Sequence, residues 1–374
     1  MTDASVAIVR CQEYQIDKVS RSISDLLELL GGMDCFIRPG DNVLLKPNML
    51  SAKPPESGII THPIILEAII QHVQQAGGEV RMGDSPSGVV KGLSGYWEKT
   101  GYGELAKRYG VHLCNFEKEG TVKKKMGGRT YHIAKSVLEA DVVINVPKLK
   151  THGLTLYTGA IKNLYGTLPG FQKANFHKHF PNPTHFGRVV ADLYACIKPT
   201  LNIMDAIVCM EGNGPSTGER KKAGLILAST DGVALDSVAS QIIGFREDEV
   251  DIIRFASESF YGISALNRIK ILGVPLQDAK AERFVLPSNR LMKSIPNFLL
   301  KWAGRVIWVR PMVHKDKCTG CGACSRNCPV EAISMVDGRP VMDYDICINC
   351  LCCNESCPEG AIYQELSYFA KRFS

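Results

Sequence analysis

Nine of the fourteen cysteines in this 374-residue chain lie within the forty residues from Cys318 to Cys357. They include two runs with the same spacing, Cys318-Thr-Gly-Cys321-Gly-Ala-Cys324-Ser-Arg-Asn-Cys328-Pro329 and Cys347-Ile-Asn-Cys350-Leu-Cys352-Cys353-Asn-Glu-Ser-Cys357-Pro358. Thiols at intervals of three residues line one loop, which suits metal coordination better than disulfide bonds. The sequence therefore predicts a metal-binding module at this end.

The Cys-x2-Cys-x2-Cys-x3-Cys-Pro spacing is that of bacterial ferredoxins, in which the fourth cysteine of each run binds the other run's cluster. We therefore expect two [4Fe-4S] clusters with crossed ligands. These ligands are Cys318, Cys321, Cys324 and Cys357 for one cluster, and Cys347, Cys350, Cys353 and Cys328 for the other. Zinc is the alternative, but zinc ribbons lack this third step and the Cys-Pro ending. Cys352 remains, and we predict a packed thiol rather than a ligand.

Between the cysteine runs, two short β-like segments flank Asp337-Gly338 and predict a hairpin. We divide the chain into a main domain (1–274), a connector (275–308) and a small α+β ferredoxin-like domain (309–374). The connector includes an apolar and aromatic stretch, Leu291–Val309, interrupted by charges and a proline. It is predicted to pack on one or both domains, and a helix on a membrane surface is the alternative.

The main domain alternates between strand and helix patterns. Apolar runs predict strands at Val6–Val9, Asn42–Lys46, Glu79–Met82, Val111–Asn115, Val142–Val146, Leu201–Ile203, Leu225–Ala228 and Ile269–Leu272. Helices are predicted at Ile16–Leu30, Pro63–Ala76, Gly187–Ile197, Val233–Ile243 and Val250–Glu258. This alternation favours an α/β fold with a mainly parallel sheet and helices on both faces. Thr121–Ile133, with Gly127-Gly128 at its centre, predicts a local hairpin.

The net charge of +6 resides in the main domain. From Arg310 onward there are 7 lysines and arginines against 8 acidic residues, which leaves 37 against 30 in the rest. This modest excess, without a basic stripe interleaved with aromatics, favours a pocket for an anionic small molecule over nucleic acid. No run of 18 residues lacks charge, so we expect no transmembrane segment. The N-terminal sequence lacks a signal-peptide pattern, so we expect a cytoplasmic protein.

Short polar motifs follow several predicted strands, at the sheet edge where open α/β sheets bind ligands. They are Lys46-Pro47-Asn48, Gly83-Asp84-Ser85-Pro86, the segment from Asn145 through Pro147-Lys148-Leu149-Lys150-Thr151-His152, Gly159-Ala160-Ile161-Lys162-Asn163-Leu164-Tyr165-Gly166, and Met210-Glu211-Gly212-Asn213-Gly214-Pro215. In combination these motifs resemble the family catalogued as domain of unknown function 362, which is often fused to such a ferredoxin module. The resemblance covers about Val6 to Ile271 plus the module and implies no general activity.

The chemistry of these motifs supplies a hypothesis. Lysines 46, 148, 150 and 162 would together bind a carboxylate or phosphate through charge-assisted hydrogen bonds, with solvation at the surface as the alternative. We assign candidate catalytic roles to His152, Lys150, Lys162, Asp84 and Glu211. We assign candidate cofactor binding to Lys46, Asn48, Lys148 and Asn163. His152 suits acid/base or metal chemistry, although capping a turn is as reasonable for it, and turn capping would also explain the carboxylates.

The segment Phe171–Pro183 (FQKANFHKHFPNP) is predicted to be a proline-bounded loop. It would close over a ligand or serve as a surface loop anchored in the core. No Gly-x-Gly-x-x-Gly or Walker pattern supports a nucleotide site, and the sequence leaves open an additional unidentified cofactor such as a flavin.

These features lead to one main hypothesis and two alternatives. The main one is an iron–sulfur oxidoreductase of low-oxygen metabolism, whose clusters exchange electrons with an anionic substrate or cofactor and with a redox partner protein. The first alternative is a non-catalytic electron carrier or assembly factor that docks a partner enzyme. The second is a metal- or cofactor-handling protein that uses His152 and cysteine residues.

Overall fold

A ten-stranded, mainly parallel sheet organises the main domain. The computed structural model describes residues 3–87, 92–287 and 309–367. The strands are β1 Ala4–Arg10, β2 Asn42–Pro47, β3 Glu79–Asp84, β4 His112–Asn115, β5 Thr121–Met126, β6 Arg129–Ala134, β7 Val142–Val146, β8 Lys148–His152, β9 Leu156–Thr158, β10 Leu201–Glu211, β11 Glu219–Ser229, β12 Ile269–Gly273, β13 Val309–Val313, β14 Ile333–Val336, β15 Arg339–Met342 and β16 Ile362–Leu366.

Helices connect most of these strands. They are α1 Ile16–Leu29, α2 Pro63–Gln75, α3 Ser94–Thr100, α4 Tyr102–Tyr109, α5 Lys135–Glu139, α6 Ala160–Asn163, α7 Gly170–His179, α8 Pro183–Ile197, α9 Gly232–Ile242, α10 Asp251–Glu258, α11 Ala323–Arg326 and α12 Cys352–Ser356. The sheet runs in the order β12-β1-β11-β10-β7-β2-β3-β4, with β8 paired to β10 and β9 paired to β8. Within it β11 is antiparallel to both of its neighbours.

Successive side chains along the strands point to opposite faces of the sheet and belong to two separate hydrophobic cores. On β2, Leu44 joins one core while Val43 and Leu45 join the other, on the opposite face of the sheet. Helices α8, α9 and α10 cover the first core, and α1 and α2 cover the second. The predicted α/β architecture with helices on both faces is therefore confirmed.

The eight predicted strands and five predicted helices are all present, with ends shifted by a few residues. The largest shift is at β10, predicted at Leu201–Ile203, which continues to Glu211 through an irregularity between Ala206 and Val208. The hairpin at Gly127-Gly128 is confirmed as β5 and β6. The segment Phe171–Pro183 is not a loop as predicted, because most of it forms α7.

The C-terminal module is small and contains two antiparallel pairs, β13 with β16 and β14 with β15. The predicted Asp337-Gly338 turn joins β14 to β15, and both residues have positive φ, as a two-residue type I′ hairpin requires. Residues 288–308 of the predicted connector lie outside the described residues, so the three-part division stays a prediction. Across the described ranges, no helix combines the length and apolar character needed to cross a bilayer.

Gly83, the first residue of the Gly-Asp-Ser motif, provides a test of packing at the sheet edge. A Cβ added there would lie 2.3 Å from Cε1 of Phe116 and 2.9 Å from Cβ of Cys114. We expect Gly83→Ala to lower the free energy of unfolding by about 1–3 kcal/mol because this core is already filled. Denaturant unfolding followed by circular dichroism under argon measures this change.

The matched control is Gly95→Ala in α3, where an added Cβ would meet no atom within 4 Å. Alanine in a helix interior is more favourable than glycine by roughly 0.5–1 kcal/mol. Equal unfolding midpoints for the two variants would contradict the packing argument.

Candidate functional site

A cavity of about 260 Å³ lies where the main domain meets the C-terminal module. The main domain contributes Asn48, Asp84, Ser85, Glu117, Lys150, His152, Thr158, Lys162, Asn163, Tyr165, Lys173 and His177 to its lining. The module contributes Asn327, Cys352, Glu355 and Ser356, three of which belong to the second cysteine run. The cavity thus brings motifs of both domains together.

Strand β8 carries two of the predicted site residues. The sequence predicted a polar motif after β7, and in the structure Lys148–His152 forms a short buried strand paired with β10 and β9. Because side chains alternate along a strand, Lys150 and His152 project from the same face. Thr158 lies directly opposite Lys150 in the β8–β9 pair and also lines the cavity.

His152 connects the main domain to the module through a buried hydrogen bond. Its Nδ1 accepts the backbone N–H of Leu154 at 3.1 Å, so the ring proton resides on Nε2. Nε2 lies 3.0 Å from Oε1 of Glu355 and donates to this carboxylate. Burial lowers the pKa of His152 to about 4. The pair is therefore a neutral imidazole that donates to a carboxylate anion.

Glu355 remains ionised despite its position in the interface. Burial opposes its charge, yet the hydrogen bond from His152 and the positive charge of Lys162 hold the pKa of the carboxyl below its ordinary value. Ser87 Oγ lies 3.4 Å from the second carboxylate oxygen. Next to this pair, Gly153 packs so closely on the module that an added Cβ would lie 2.3 Å from Nε2 of Gln364.

A ladder of asparagine side chains positions Lys150. Asn202 accepts from Asn145, Asn145 accepts from Asn163, and Asn163 accepts from Asn48, each at 2.8–2.9 Å. Oδ1 of Asn48 then accepts from the ammonium of Lys150 at 3.0 Å. Asn48 and Asn163, predicted to bind a cofactor, therefore line the cavity while their amides hold its walls together.

Lys150 is almost fully buried, and its environment disfavours its positive charge. The carbonyl of Ile59 accepts a second hydrogen bond from Nζ at 2.7 Å. Burial lowers the pKa of Lys150 to about 7, with the charges of Glu355 and Lys162 acting in opposite directions. Near neutral pH this amine is therefore shared between its charged and neutral forms.

Lys162 lies on the short helix α6, whose start is fixed by Asp236. The backbone N–H groups of Ala160 and Ile161 donate to this carboxylate at 2.6 and 2.9 Å. The residue before them is Gly159. A side chain would not fit at this position, because an added Cβ would lie 2.1 Å from Oδ1 of Asp236. This packing explains the glycine of the Gly-x-x-Lys-Asn motif.

The ammonium of Lys162 lies over two aromatic rings. Nζ is 5.7 Å from the ring centre of Tyr165 and 5.9 Å from that of Phe186. Among the described residues, no hydrogen-bond partner or ion pair is found for this ammonium. Burial lowers its pKa, while Glu355 acts in the opposite direction.

Helix α7 supplies two site residues that the sequence did not single out. Phe171 is exposed, whereas Lys173 and His177 are buried and line the cavity. Lys173 donates to the hydroxyl of Ser85 at 2.6 Å, and that hydroxyl donates to Glu117. The ring of His177 stacks on Phe186 with 4.4 Å between centres.

The four predicted lysines do not form a single cluster, because two of them are bound by carboxylates. Lys46 pairs with Asp84 at 2.9 Å, and both side chains are at least 96% buried. Lys148 donates to Asp205 and to the hydroxyl of Tyr14, each at 2.8 Å, and does not line the cavity. Asp205, the partner of Lys148, lies inside β10.

Glu211 also lies apart from the cavity lining. It ends β10, and its carboxylate accepts the backbone N–H of Val285 at 2.8 Å. The structure thus gives Glu211 and Lys148 stabilising contacts elsewhere, while Asp84 reaches the cavity already paired with Lys46.

Two polar atoms in the cavity wall have no partner within the described part of the chain. They are Nδ1 of His177 and Oγ1 of Thr158, on side chains that are 3% and 4% exposed. A buried polar atom without a hydrogen bond is costly, so such atoms mark places where a ligand or water binds. Together with Lys162, they give the cavity wall polar groups that are not paired with one another.

One of the two predicted cysteine sets surrounds a cavity of its own. Cys318, Cys321, Cys324 and Cys357 line this small second cavity. Burial raises the pKa of the Cys353 thiol, and the charges of Cys350, Cys347, Cys324 and Cys328 act in the same direction. Cys353 therefore lies near its three predicted partners and also near Cys324 of the first set.

The two cysteine loops also share backbone geometry. Gly320 and Gly322 have φ near +70°, and Asn349 and Leu351, at equivalent places in the second run, have φ of 53° and 63°. The sulfur atoms of Cys328 and Cys357 each accept a backbone N–H at 3.2 Å. Within the described residues, no three His, Cys, Asp or Glu side chains converge on one metal ion. A cubane does not require such convergence, because each thiolate binds a different iron atom.

Comparison with known families places two matches on the chain. Residues 43–241 match the domain of unknown function DUF362, and residues 311–334 match the 4Fe-4S binding domain. Among curated proteins, the thylakoid-associated protein sll1697 of Synechocystis sp. is 37% identical over 262 residues, covering 70% of this chain and 80% of the relative.

Solved structures give more distant similarities. The lactate racemase apoprotein from Thermoanaerobacterium thermosaccharolyticum has 14% identity and a TM-score of 0.43, with coverage of 64% of this chain and 57% of that protein. A protein from Thermotoga maritima has 15% identity and a TM-score of 0.40, with coverage of 67% and 60%. The chain spans less than two thirds of either solved protein.

The buried Lys46–Asp84 pair yields a testable prediction about stability. Asp84→Asn would leave the Lys46 ammonium buried without its counter-charge, and removing one partner of such a pair costs about 3–5 kcal/mol. We expect a corresponding loss in the free energy of unfolding, measured by denaturant titration of anaerobic protein.

Glu139→Gln is the control, because it removes a surface ion pair with Lys135 whose side chains are 54% and 56% exposed. Exposed pairs contribute little, so this variant should unfold at the parental midpoint. If Asp84→Asn also unfolds at the parental midpoint, the ion pair with Asp84 does not stabilise the buried Lys46.

Proposed function

The chain belongs to the DUF362 family and carries a 4Fe-4S binding domain, and we propose that it is an oxidoreductase coupling two [4Fe-4S] clusters to an anionic substrate or cofactor. The 4Fe-4S domain makes it an iron–sulfur protein. The proposed reaction site is the cavity between the domains. One observation carries this proposal: Cys352, Glu355 and Ser356 line the same cavity as Lys150, His152 and Lys162.

The crossed ligand sets that the cysteine spacing predicts are part of this proposal. Cys318, Cys321, Cys324 and Cys357 would hold one cluster, and Cys347, Cys350, Cys353 and Cys328 the other. When bound, the clusters supply one-electron transfer. Cys352 lies between two ligands of the second set and contributes to the cavity wall. A molecule in the cavity would therefore contact the protein segment that binds the second cluster.

The residues of the main domain would bind and orient that molecule. Lys162 supplies an ammonium that has no carboxylate partner within residues 3–87, 92–287 and 309–367, and Lys150 supplies an amine whose pKa lies near neutrality. Such an amine exchanges protons readily at physiological pH, which suits a reduction that consumes protons. His152, fixed as a neutral donor to Glu355, is a positioning residue in this proposal.

We further propose a redox partner protein and a cytoplasmic, low-oxygen setting. Cys321 is exposed, and the module presents exposed apolar side chains at Val336, Val341 and Ile346. Small apolar patches on a surface often mark sites of protein contact. The low-oxygen setting is proposed because doubled cubanes are sensitive to oxygen.

Cluster content provides the first test. We expect anaerobically purified protein to contain about eight iron atoms per chain. Cys324→Ser should lose at least roughly half of this iron because it removes a proposed ligand, whereas Cys352→Ser should retain it. Iron and sulfide analysis, with electron paramagnetic resonance of the reduced protein, measures both outcomes.

The matched control is Cys35→Ser, which changes an exposed thiol in the main domain. Protein that contains zinc in place of iron would refute the redox proposal. Iron loss in Cys352→Ser comparable to that in Cys324→Ser would refute the ligand assignment.

Reoxidation of the reduced clusters tests the coupling to the cavity. The protein would be reduced with dithionite, freed of excess reductant and mixed with organic acids, phosphate esters or flavins. An oxidant that acts through the cavity should react at least about tenfold more slowly with Lys162→Met, since a charge-assisted contact is lost. Recovery of cluster absorbance measures the rate.

Lys178→Met is the control because Lys178 is exposed on α7, the helix that carries Lys173 and His177. An unchanged rate of cluster reoxidation in Lys162→Met would mean that the oxidant does not react through the cavity. A stable partner protein in anaerobic pull-downs, without turnover of any small molecule, would instead identify an electron carrier or assembly factor.

A further inference from the structure

The charges around the cavity are largely paired with one another. Asp84 is bound by Lys46, Glu355 accepts from His152, and the ammonium of Lys173 contacts Ser85, which donates to Glu117. Lys162 differs from these residues because it lies over aromatic rings, and its ammonium has no hydrogen-bond or ion-pair partner in the part of the chain that the structure describes. Lys162 is therefore a cation available to a ligand.

Lys150 provides a second contact, and the charge of its side chain depends on whether Nζ is protonated. Two hydrogen atoms of Nζ are directed to Asn48 Oδ1 and to the carbonyl of Ile59. The third position of the nitrogen remains for the cavity that Lys150 lines. As an ammonium, Lys150 would donate one further hydrogen bond there, and as an amine it would present a lone pair.

The size of the cavity restricts what it holds. Its volume of about 260 Å³ is smaller than the roughly 300–1,000 Å³ of pockets for drug-sized ligands. A flavin or dinucleotide would have to extend out of this space. A doubly charged phosphate would face the carboxylates of Glu117 and Glu355 in the cavity wall.

We propose that the cavity binds a small organic monocarboxylate, which pairs with Lys162 and accepts the third hydrogen bond of Lys150. The unpartnered Oγ1 of Thr158 and Nδ1 of His177 would contact the polar substituents of this molecule. This inference deepens the proposed function, on which it rests for the role of the cavity. It also assigns the anion to a chemical class.

Binding would then take up a proton. Glu355 on α12 and Asp84 on β3 favour the ammonium form of Lys150, whereas burial, Lys162 on α6 and Lys148 on β8 disfavour it. In free protein the pKa of Lys150 is about 7, and a bound carboxylate raises it. Above pH 7, binding therefore protonates the amine, and affinity falls as the pH increases through this range.

The experiment is calorimetric titration of the full, cluster-loaded chain under argon with 2-oxobutanoate, inorganic phosphate and flavin mononucleotide. We expect 2-oxobutanoate to bind at least about tenfold more tightly than either other probe, as a fit of size and charge requires. At pH 8, titrations in Tris and in HEPES should give different apparent enthalpies that correspond to proton uptake.

Variants locate the binding site. Lys162→Met should weaken binding of 2-oxobutanoate at least about tenfold, whereas Lys178→Met should bind like the parent. Lys150→Met should abolish the dependence of the enthalpy on the buffer. If Lys162→Met does not fold, the buffer comparison on the parent protein still decides between proton uptake and none.

Tighter binding of phosphate or flavin, or equal enthalpies in the two buffers, would overturn the inference. These failures differ from failure of the proposed function. If the carboxylate binds but reduced clusters are never reoxidised through the cavity, the inference stands and the oxidoreductase proposal falls. If another anion reoxidises the clusters while carboxylates do not bind, the opposite conclusion follows.

Discussion

The hydrogen bond from His152 to Glu355 determines how the two domains meet. Both side chains are buried, and backbone donors from Leu154 and Thr155 hold the imidazole in one tautomer. An ionised carboxylate excluded from water requires such donors nearby. The contact therefore fixes β8 of the main domain against the second cysteine run, and the cavity exists because these two segments are held together.

The same cost of burying charge explains the arrangement of the lysines. Lys46 and Lys148 each lie against a carboxylate, at 2.9 and 2.8 Å, which compensates for lost hydration. Lys150 and Lys162 have no carboxylate in direct contact among the residues that the structure covers, and burial lowers the pKa of each. Lysines from similar polar motifs thus divide into structural cations and cations available to a ligand.

The sequence predicted those features that short repeats encode. Strands and helices followed from apolar periodicity, and the 4Fe-4S binding domain followed from cysteine spacing, because both depend on near neighbours in the chain. The division between Lys148 and Lys150 could not be predicted, since Asp205, which binds Lys148, is 57 residues away on β10. Glu355 was not predicted as a site residue, because it lies between two proposed cluster ligands. Helix α7 was wrongly predicted as a loop, because its buried side chains are mostly polar or aromatic.

The asparagine ladder shows why the polar motifs depend on one another. Asn202, Asn145, Asn163 and Asn48 lie on β10, on β7, on α6 and after β2, and each amide bonds the next before the last one reaches Lys150. Replacing any member leaves a buried amide partner unsatisfied, which costs more than the lost hydrogen bond itself. Motifs that are distant in sequence therefore act together to orient one amine. Through these hydrogen bonds, the strands of the sheet hold Lys150 in place in the cavity wall.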